Sequence, residues 1–307
     1  MKTIKHIRKI KRPVVRTCPC AVGHVSCNYV VISHILGCPY NCSYCFLHTF
    51  YGKDEIVVYD NSDDILDQVS NYLQQAKQPL RLGTGQFSDS LALPEAVALG
   101  VELVKLFAQQ KEHLFELKTK SAQVDQLLDL DHSGRTVIAW SVNPQQIVES
   151  DEQGSVSLAE RLKAAKKCVK AGYPVAFHFD PIIFYPGWDK DYQTVVDKIF
   201  TAVDPKAIAW ISLGALRYAP ELSEIITKRF SGSRITFIDH QAGTDGKMRY
   251  SKTRRIELFR KMHELIRSHS KDVYVYLCME SAEVWQAAGI KNDPDGPFAR
   301  FFAYFRK

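Results

Sequence analysis

The stretch "YVVISHILGCPYNCSYCFLH" (residues 29–48) joins a strongly apolar run to three closely spaced cysteines. Residues 29–36 are rich in valine and isoleucine, which predicts a buried β-strand. Cys38, Cys42 and Cys45 then follow in the spacing C-x3-C-x2-C. A structural zinc site and an ordinary [4Fe–4S] cluster each take four ligands. The stretch therefore predicts a metal site directly after a strand, with one ligand coming from elsewhere.

Short apolar runs alternate with amphipathic segments along the rest of the chain, which indicates a parallel sheet with helices outside it. We predict strands at residues 29–36, 80–84, 114–119, 136–143, 174–182, 207–214 and 273–279. We predict helices at residues 63–76, 93–110, 121–130, 157–172, 190–202, 219–229 and 252–269. Six β/α units followed by a helix and a strand predict an α/β fold, a partial (β/α)6 barrel of TIM type. A doubly wound open sheet is the alternative.

The chain shows no sign of division into separate domains. No linker rich in proline, glycine or serine interrupts its 307 residues. We therefore expect one domain over residues 1–307. Within it we distinguish a basic N-terminal arm (1–28), a β/α core (29–230) and a C-terminal extension (231–307) that carries a helix and the final strand.

Composition and the N-terminal segment indicate a cytoplasmic protein with no membrane partner. No stretch approaches the ~20 apolar residues of a membrane span. The segment "MKTIKHIRKIKRPVVR" (residues 1–16) lacks the apolar region of a secretory signal. In a reducing compartment, the eight cysteines favour metal binding or catalysis over disulfides. The net charge of +6 is compatible with a polyanionic partner, and we expect a monomer.

Polar side chains follow the carboxyl ends of the predicted strands. A β/α barrel carries its site at this end, because the loops after parallel strands meet there. The segment "GTGQFSD" (residues 83–89) follows the second strand, and Lys118 and Lys120 follow the third. The later strand-end residues are Ser141, Asn143, His178, Asp180 and Ser212.

The C-x3-C-x2-C loop after a first strand resembles the signature of the radical S-adenosylmethionine (SAM) enzymes. In that superfamily the amino and carboxylate groups of SAM chelate the iron that lacks a protein ligand, and reductive cleavage of SAM gives a 5'-deoxyadenosyl radical. The resemblance implies a [4Fe–4S] cluster on Cys38, Cys42 and Cys45. It also implies that an aromatic residue, Tyr44 or Phe46, covers the adenine. The alternative is a zinc site whose fourth ligand is Cys18, Cys20 or Cys27.

Further blocks resemble the spore photoproduct lyase family, in the same order, from about residue 30 to about residue 280. They include "GCPYNCSYCFLHT", "FSDSLAL", "TKSAQVDQLL", "WSVNPQ" and "RLKAAKKCVKAGYPVAFHFDPIIFYPGW". That family is a partial β/α barrel with one [4Fe–4S] cluster and SAM, and its named member repairs the thymine dimer of ultraviolet-damaged spore DNA. The resemblance therefore implies a carbon–carbon lyase of DNA repair.

The same resemblance assigns residues to the SAM site. Ser88 and Asp89 match a serine–aspartate pair beside SAM. Lys120 and Ser141 match a lysine and a serine near its methionyl carboxylate. These residue types fit, because a carboxylate pairs with a cation and hydroxyl groups need polar partners. The predicted cofactor-binding set is Tyr44, Phe46, Gly83, Thr84, Ser88, Asp89, Lys120, Ser141 and Asn143.

Two positions depart from the family pattern. The lyase has a cysteine three residues before the aspartate of the pair, which returns a hydrogen atom to the lesion, and this chain has Gln86 there. The lyase also has a tyrosine directly after the third cluster cysteine, in the relay back to SAM, and this chain has Phe46. The departures predict shared cofactor chemistry with a different final step or substrate. Candidate catalytic donors are Tyr44 and Cys278, and the alternative for Cys278 is a buried structural thiol.

Substrate contacts are predicted on the later strands and in two basic segments. His178 and Asp180 share one strand face, where they bind substrate, move a proton or only satisfy the barrel mouth. The segments "KHIRKIKRPVVR" (5–16) and "DGKMRYSKTRR" (245–255) predict contacts to DNA or another nucleic acid, with solvated loops as the alternative. The predicted substrate residues are Gln86, His178, Asp180, Arg217, Tyr218 and Tyr250.

Three functional hypotheses follow. The first is a radical SAM enzyme that acts on a nucleic acid and takes electrons from a reductant such as flavodoxin or ferredoxin. The second is a radical SAM enzyme that acts on a small molecule or peptide. The third is a zinc-stabilised nucleic-acid-binding protein. In "RTCPCAVGHVSC" (residues 16–27), Cys18, Cys20 and Cys27 are free thiols or ligands of a second cluster or a zinc ion.

Overall fold

The computed structural model describes residues 2–7, 12–18, 20–50, 55–291, 302 and 304–306. The strands are β1 (Thr3–Ile7), β2 (Val15–Thr17), β3 (Tyr29–Ile32), β4 (Ile35–Leu36), β5 (Asn41–Cys42), β6 (Glu55–Tyr59), β7 (Arg81–Gly83), β8 (Leu114–Thr119), β9 (Thr136–Ser141), β10 (Glu152–Gln153), β11 (Val175–Ile182), β12 (Ile208–Ala215), β13 (Arg217–Tyr218), β14 (His240–Ala242), β15 (Met248–Tyr250) and β16 (Val275–Leu277). The α-helices are α1 (Leu47–Phe50), α2 (Ser62–Gln74), α3 (Pro94–Ala108), α4 (Gln145–Asp151), α5 (Leu158–Lys170), α6 (Trp188–Ala202), α7 (Glu221–Arg229), α8 (Lys252–His269) and α9 (Ala282–Ala287).

Across the residues that the structure describes, an eight-stranded sheet curls into a half-barrel. Its strand order is β16-β12-β11-β9-β8-β7-β3-β2. Seven of these eight described strands run parallel, and β2 joins β3 antiparallel at one edge. The predicted α/β partial barrel is confirmed. The trailing strand of the prediction, β16, is the last parallel strand of the same sheet.

Helices between the strands pack on the sheet through their apolar faces. Helix α3 buries Leu103, Val104 and Phe107. The Phe107 ring stacks on Phe115 of β8, with 5.1 Å between ring centroids. Burying each side chain of this kind contributes about 1.5–3 kcal/mol. The periodic apolar residues of the sequence therefore place the helix and the strand against each other.

The strand predicted at residues 29–36 is wrong in its second half. Strand β3 ends at Ile32, and β4 pairs instead with β6, which also joins β1, in a separate three-stranded sheet. The chain changes sheet at Ser33, whose N–H donates to Val14 O at 2.8 Å. This switch leads the chain into the cysteine loop (residues 37–48).

The helix predicted at residues 121–130 is also wrong, because only a 3-10 turn forms there, at Asp125–Leu127. Side-chain oxygens capture the backbone amides that would start the helix. Ser121 N donates to Thr119 Oγ1 at 2.8 Å, and Gln123 N donates to Ser121 Oγ at 3.0 Å. Such local bonds compete with helix formation.

The segment between β2 and β3 crosses the open side of the half-barrel. We refer to residues 20–28 as the crossing segment. Val25 N donates to Glu280 O at 2.9 Å, in the loop after β16. His24 forms an isolated antiparallel bridge with Ser281 in the same loop. The crossing segment therefore connects the edge of the sheet formed by β2 and β3 to the end of β16.

The described part of the predicted N-terminal arm is structured. Residues 3–7 form β1 beside β6, and residues 15–17 form β2 at the edge of the main sheet. Residues 8–11 of the arm and 292–301 of the predicted extension lie outside the described residues. None of the helices within the described ranges is long and apolar enough to cross a membrane.

Candidate functional site

A cavity of about 680 Å³ opens at the carboxyl ends of the parallel strands. It collects side chains from the cysteine loop, from the segment after β7 and from the ends of β8, β9, β11, β12 and β16. The predicted site residues that line it are Cys38, Cys42, Tyr44, Cys45, Phe46, Gln86, Ser88, Asp89, Lys120, Ser141, His178, Asp180, Arg217, Tyr218 and Cys278. A more open groove of about 860 Å³, beside α6 and α8, is lined by none of these residues.

Main-chain contacts brace the cysteine loop on both sides. Strand β5 pairs antiparallel with β10. Lys2 Nζ donates to Cys38 O at 2.6 Å and to Tyr40 O at 3.1 Å. Gly37 has a φ of +103°, and a Cβ at this position would lie 2.9 Å from Glu55 O, so the turn requires glycine. These contacts fix the backbone that carries the three thiols.

The three thiols lie close enough to affect one another's protonation. Burial raises the pKa of Cys42 to about 12. Burial also raises the pKa of Cys38, and the nearby charges of Asp89, Cys45 and Cys42 raise it further. The thiolate is the form that binds metal, so a bound cluster would displace these protons. All three thiols line the same cavity, where they are potential ligands.

Asp89 fixes the segment after β7 to the end of β8. Its Oδ1 accepts from Leu91 N at 2.9 Å and from Thr119 Oγ1 at 2.6 Å, and its Oδ2 accepts from Lys120 N at 2.6 Å. Ser88, directly before it, is buried, and its Oγ has no hydrogen-bond partner among the described residues. A buried hydroxyl without a partner costs about 1–3 kcal/mol. Asp89 therefore positions the segment, and Ser88 is available to a ligand.

Lys120 lies between the cysteine loop and a buried carboxylate. Its Nζ is 5.7 Å from the centroid of the Tyr44 ring, and the Tyr44 O–H donates to Glu152. Arg161 Nη2 lies 2.6 Å from Glu152 Oε2. Burial lowers the pKa of Lys120, but the electrostatic effects of Cys42 and Glu152 outweigh burial and raise it overall. The ammonium group therefore stays charged beside the thiols, where it can pair with an anionic ligand.

Gly83 and Thr84, predicted to bind the cofactor, lie behind the cavity lining. A Cβ on Gly83 would lie 2.5 Å from Glu116 O of the neighbouring strand. Thr84 Oγ1 donates to Ser90 Oγ at 2.8 Å. These contacts hold β7 and the following segment against β8, and a direct contact with the cofactor stays a prediction.

Asn143 and Tyr250 also lie outside the lining. Asn143 Nδ2 donates to Glu152 Oε1 at 2.9 Å, so this side chain orients the carboxylate that receives the Tyr44 hydroxyl. Tyr250 is fully buried, and its hydroxyl accepts from Phe184 N at 2.9 Å. In this conformation the Tyr250 ring supports the hairpin of β14 and β15 and is not exposed to a substrate.

A buried ion group forms the inner wall of the cavity, and two of its members, Arg81 and Glu116, were not predicted. Arg81 Nη1 lies 3.6 Å from Glu116 Oε2, and His178 Nε2 lies 2.6 Å from Glu116 Oε1. Burial raises the pKa of Glu116, but Arg81 and His178 outweigh burial and lower it to about 2. In the sequence, Arg81 and Glu116 could have been noticed as charged residues within otherwise apolar strands.

Arg217 brings Asp180 and Cys278 together at another wall. Its Nη1 and Nη2 donate to the two carboxylate oxygens of Asp180 at 3.0 and 3.2 Å. Arg217 Nη2 also lies 3.5 Å from Cys278 Sγ. His178 and Asp180, predicted on one strand face, therefore have different partners, Glu116 and Arg217.

Much of the positive charge in the segment 245–255 is matched by nearby acids. The ion pairs are Arg249–Asp245, Lys252–Glu283, Arg254–Glu257 and Arg255–Glu280. Lys247, in the same segment, lines the cavity mouth. The segment therefore offers less free charge to phosphate groups than its composition suggests.

Three further cysteines, Cys18, Cys20 and Cys27, line the same cavity. In the described part of the chain, no group of three or more histidine, cysteine, aspartate or glutamate side chains is placed to hold a single metal ion. Zinc needs four ligands within about 2.0–2.3 Å of one point, whereas the thiolates of a [4Fe–4S] cluster bind different iron atoms. Both assignments therefore stay predictions.

Comparisons of sequence identify relatives of the chain. A family model described as "Spore photoproduct lyase" matches residues 12–279. A spore photoproduct lyase of Bacillus subtilis (strain 168) is 30% identical over 203 residues, which are 65% of this chain and 59% of that protein. The chain thus spans about 59% of the length of that curated relative.

Solved structures with the same architecture also include spore photoproduct lyases. A cysteine-to-alanine mutant with a dinucleoside spore photoproduct has a TM-score of 0.75 at 26% identity, covering 81% of this chain and 76% of that chain. A double mutant with bound AdoMet and a dinucleoside spore photoproduct has a TM-score of 0.77 at 24% identity, covering 89% of this chain and 82% of that chain. The second likeness is one of fold alone.

Proposed function

Because the chain belongs to the spore photoproduct lyase family, we propose that it is a radical SAM enzyme. Cys38, Cys42 and Cys45 would hold a [4Fe–4S] cluster, and SAM would take the remaining iron. The observation that carries the proposal is the convergence of these thiols with Ser88 and Lys120 on one cavity. When bound, cluster and SAM supply a 5'-deoxyadenosyl radical by reductive cleavage, with the electron coming from a flavodoxin or ferredoxin.

The side chains of the cavity would bind and orient SAM. Lys120 would pair with its carboxylate, since the ammonium group stays charged beside the cysteine loop. Ser88 would bond to a polar group of SAM, which would satisfy a buried hydroxyl that lacks a partner in the described structure. Ser141, at the end of β9, would add a further hydroxyl. Phe46 would cover the adenine and exclude water from the reacting atoms.

The cavity mouth has the chemistry of a nucleic-acid entrance. Phe46 packs edge-on against Phe50 and Phe87, with ring centroids 5.8 and 5.9 Å apart. Phe50 is 69% exposed, which is high for a large apolar side chain. The Arg16 guanidinium lies 4.5 Å from the centroid of the Phe87 ring. Aromatic faces beside cations stack bases and attract phosphates, so we propose a nucleic acid or a nucleotide-like molecule as substrate.

The final step of the reaction would differ from that of the lyase. Gln86 lines the cavity where the family resemblance implies a hydrogen-donating cysteine, and an amide does not donate a hydrogen atom in this way. Phe46 has no O–H with which to return a hydrogen atom to SAM. The Tyr44 hydroxyl is directed to Glu152, which removes it from the cavity space. We therefore propose that SAM is consumed, with one 5'-deoxyadenosine released for each substrate radical formed.

An oligonucleotide that carries the spore thymine dimer tests the substrate. Anaerobically reconstituted protein receives SAM, dithionite and either the damaged or the matched undamaged oligonucleotide. Restored thymines and 5'-deoxyadenosine, measured together, would assign lyase activity. Deoxyadenosine with an untouched dimer would retain the radical chemistry and exclude this substrate. Cluster-loaded protein that releases no deoxyadenosine under any of these conditions would refute the proposal.

A radical SAM reaction on a small molecule or peptide is the second candidate. It is favoured by the ion pairs that neutralise the segment 245–255. A protein that neutralises several phosphates loses affinity steeply as salt rises. Weak oligonucleotide binding that changes little between low and high salt would therefore support this second candidate over a nucleic acid.

A further inference from the structure

Four cysteines outside the cysteine loop line the cavity as a second group: Cys18, Cys20, Cys27 and Cys278. The Cys20 N–H donates to Cys18 O at 2.9 Å, and Val25, between Cys20 and Cys27, donates its N–H to Glu280 O at 2.9 Å, two residues after Cys278. We propose that these four thiols ligate a second iron–sulfur cluster. We call them the second cysteine group.

The fold brings these residues together from opposite ends of the chain. Cys18 follows β2 and is anchored where its N–H donates to Tyr29 O at 2.7 Å. Cys20 and Cys27 lie on the crossing segment, which is bonded to the loop after β16. Cys278 directly follows β16, and its N–H donates to Leu213 O at 2.8 Å. The group therefore spans the open side of the half-barrel.

The number and type of side chains match a cluster. Four cysteine thiolates are the ligand set of both [2Fe–2S] and [4Fe–4S] centres. All four thiols of the second cysteine group line one cavity in the described structure.

Positive charge next to the group suits the excess negative charge of a thiolate-bound cluster. Arg217 Nη2 lies 3.5 Å from Cys278 Sγ, and the Arg81 charge acts on Cys27. Gln86 also contacts the group, because the Cys18 thiol donates to Gln86 Oε1 at 3.7 Å. The position that departs from the family pattern therefore faces the second cysteine group.

The test separates the two sites by removing the first. A variant with Cys38→Ala, Cys42→Ala and Cys45→Ala is reconstituted anaerobically with iron and sulfide, and iron, acid-labile sulfide and zinc are counted per chain. We expect about four irons per chain for a [4Fe–4S] centre or about two for [2Fe–2S], and the sum of both sites in the unmodified protein. The proposal would be overturned if the triple variant held no iron although circular dichroism showed it to be folded. It would also be overturned if that variant held zinc and no acid-labile sulfide.

The reciprocal variant, with Cys18→Ala and Cys27→Ala, should keep only the irons of the cysteine loop. Cys168→Ala is the matched control, because Cys168 is buried on α5 and does not line the cavity. It should retain the full iron count. If the triple variant holds iron and the reciprocal variant holds none, the second cysteine group binds a cluster and the cysteine loop does not. That result would support the present proposal and contradict the first cluster. Iron at full count in the reciprocal variant would overturn the second.

A readout independent of iron is thermal stability. A cluster that joins the crossing segment to the end of β16 should raise the Tm of the triple variant on reconstitution, since binding to the folded state stabilises it. Cys278→Ser should reduce this rise and alter the electron paramagnetic resonance spectrum of the dithionite-reduced protein. An unchanged spectrum and an unchanged Tm rise would contradict the assignment of Cys278 as a ligand.

Discussion

Replacing Lys120 by methionine should weaken SAM binding without unfolding the protein. Methionine keeps the length and apolar stem of lysine but removes the charge that faces Cys42 and Glu152. A charge-assisted hydrogen bond contributes about 1.5–3 kcal/mol, and about 1.4 kcal/mol corresponds to tenfold in a dissociation constant. We therefore expect the Kd for SAM to rise by about 10- to 150-fold.

Equilibrium binding of SAM to the anaerobically reconstituted protein is the assay, with iron content confirming that the cluster is intact. Lys118→Met is the matched control, because Lys118 lines the same cavity two residues earlier. If general positive charge attracts SAM, both variants should lose affinity equally. The pKa of Lys120 is raised, so the wild-type affinity should not fall between about pH 7 and pH 9 on account of this group. An unchanged Kd in Lys120→Met would refute the assigned role.

Two further changes test the buried ion group and the cavity mouth. Glu116→Gln leaves Arg81 buried without its carboxylate and should cost about 3–5 kcal/mol in the free energy of unfolding by denaturant. Because the pKa of Glu116 is lowered to about 2 from 4.5, its contribution is present above about pH 4.5 and lost as pH falls through about 2. The variant should therefore show a flatter acid limb, and an equally steep limb would contradict the pairing. Phe50→Ala should weaken single-stranded oligonucleotide binding by about 1–3 kcal/mol while leaving SAM affinity unchanged, and a loss of SAM affinity instead would place Phe50 in the cofactor site.

The alternation of apolar runs was sufficient to predict a parallel sheet with helices outside it, but it left a half-barrel and an open sheet as alternatives. Each strand of the main sheet carries enough buried valine, leucine or isoleucine to stand out from the polar loops. The break after Ile32 was not predicted, because Ile35 and Leu36 resume the apolar run after only two polar residues, Ser33 and His34. Which sheet they join depends on β6, which is distant in sequence. Tertiary pairing decided the outcome there.

The site was predicted where its residues lie close in sequence and missed where they do not. The cysteine loop carries its three thiols, the proposed cluster ligands, within eight residues, so their spacing alone indicated them as candidates. Arg81 and Glu116 meet only because β7 and β8 are neighbours. Cys18 and Cys278 are separated by nearly the whole chain. No sequence pattern indicates that the crossing segment reaches the end of β16.

The sequence also could not show which of the predicted cofactor residues bond to the protein's own backbone. Asp89 was predicted beside SAM, and the structure shows its carboxylate bonded to three donors of the protein. The motif does not reveal whether such a residue touches the ligand or holds the loop that does. In this protein the partnerless hydroxyl of Ser88 marks the position that a ligand can satisfy.

The central claim is that the cysteine loop carries the cluster that cleaves SAM, and one measurement tests it most directly. Wild type, Cys42→Ala and Cys168→Ala are reconstituted together, given dithionite and SAM under anaerobic conditions, and assayed for 5'-deoxyadenosine. We predict that wild type and Cys168→Ala release deoxyadenosine and that Cys42→Ala releases none above background. Equal release from Cys42→Ala would contradict the claim, because a cleavage that survives loss of this thiol does not come from this loop.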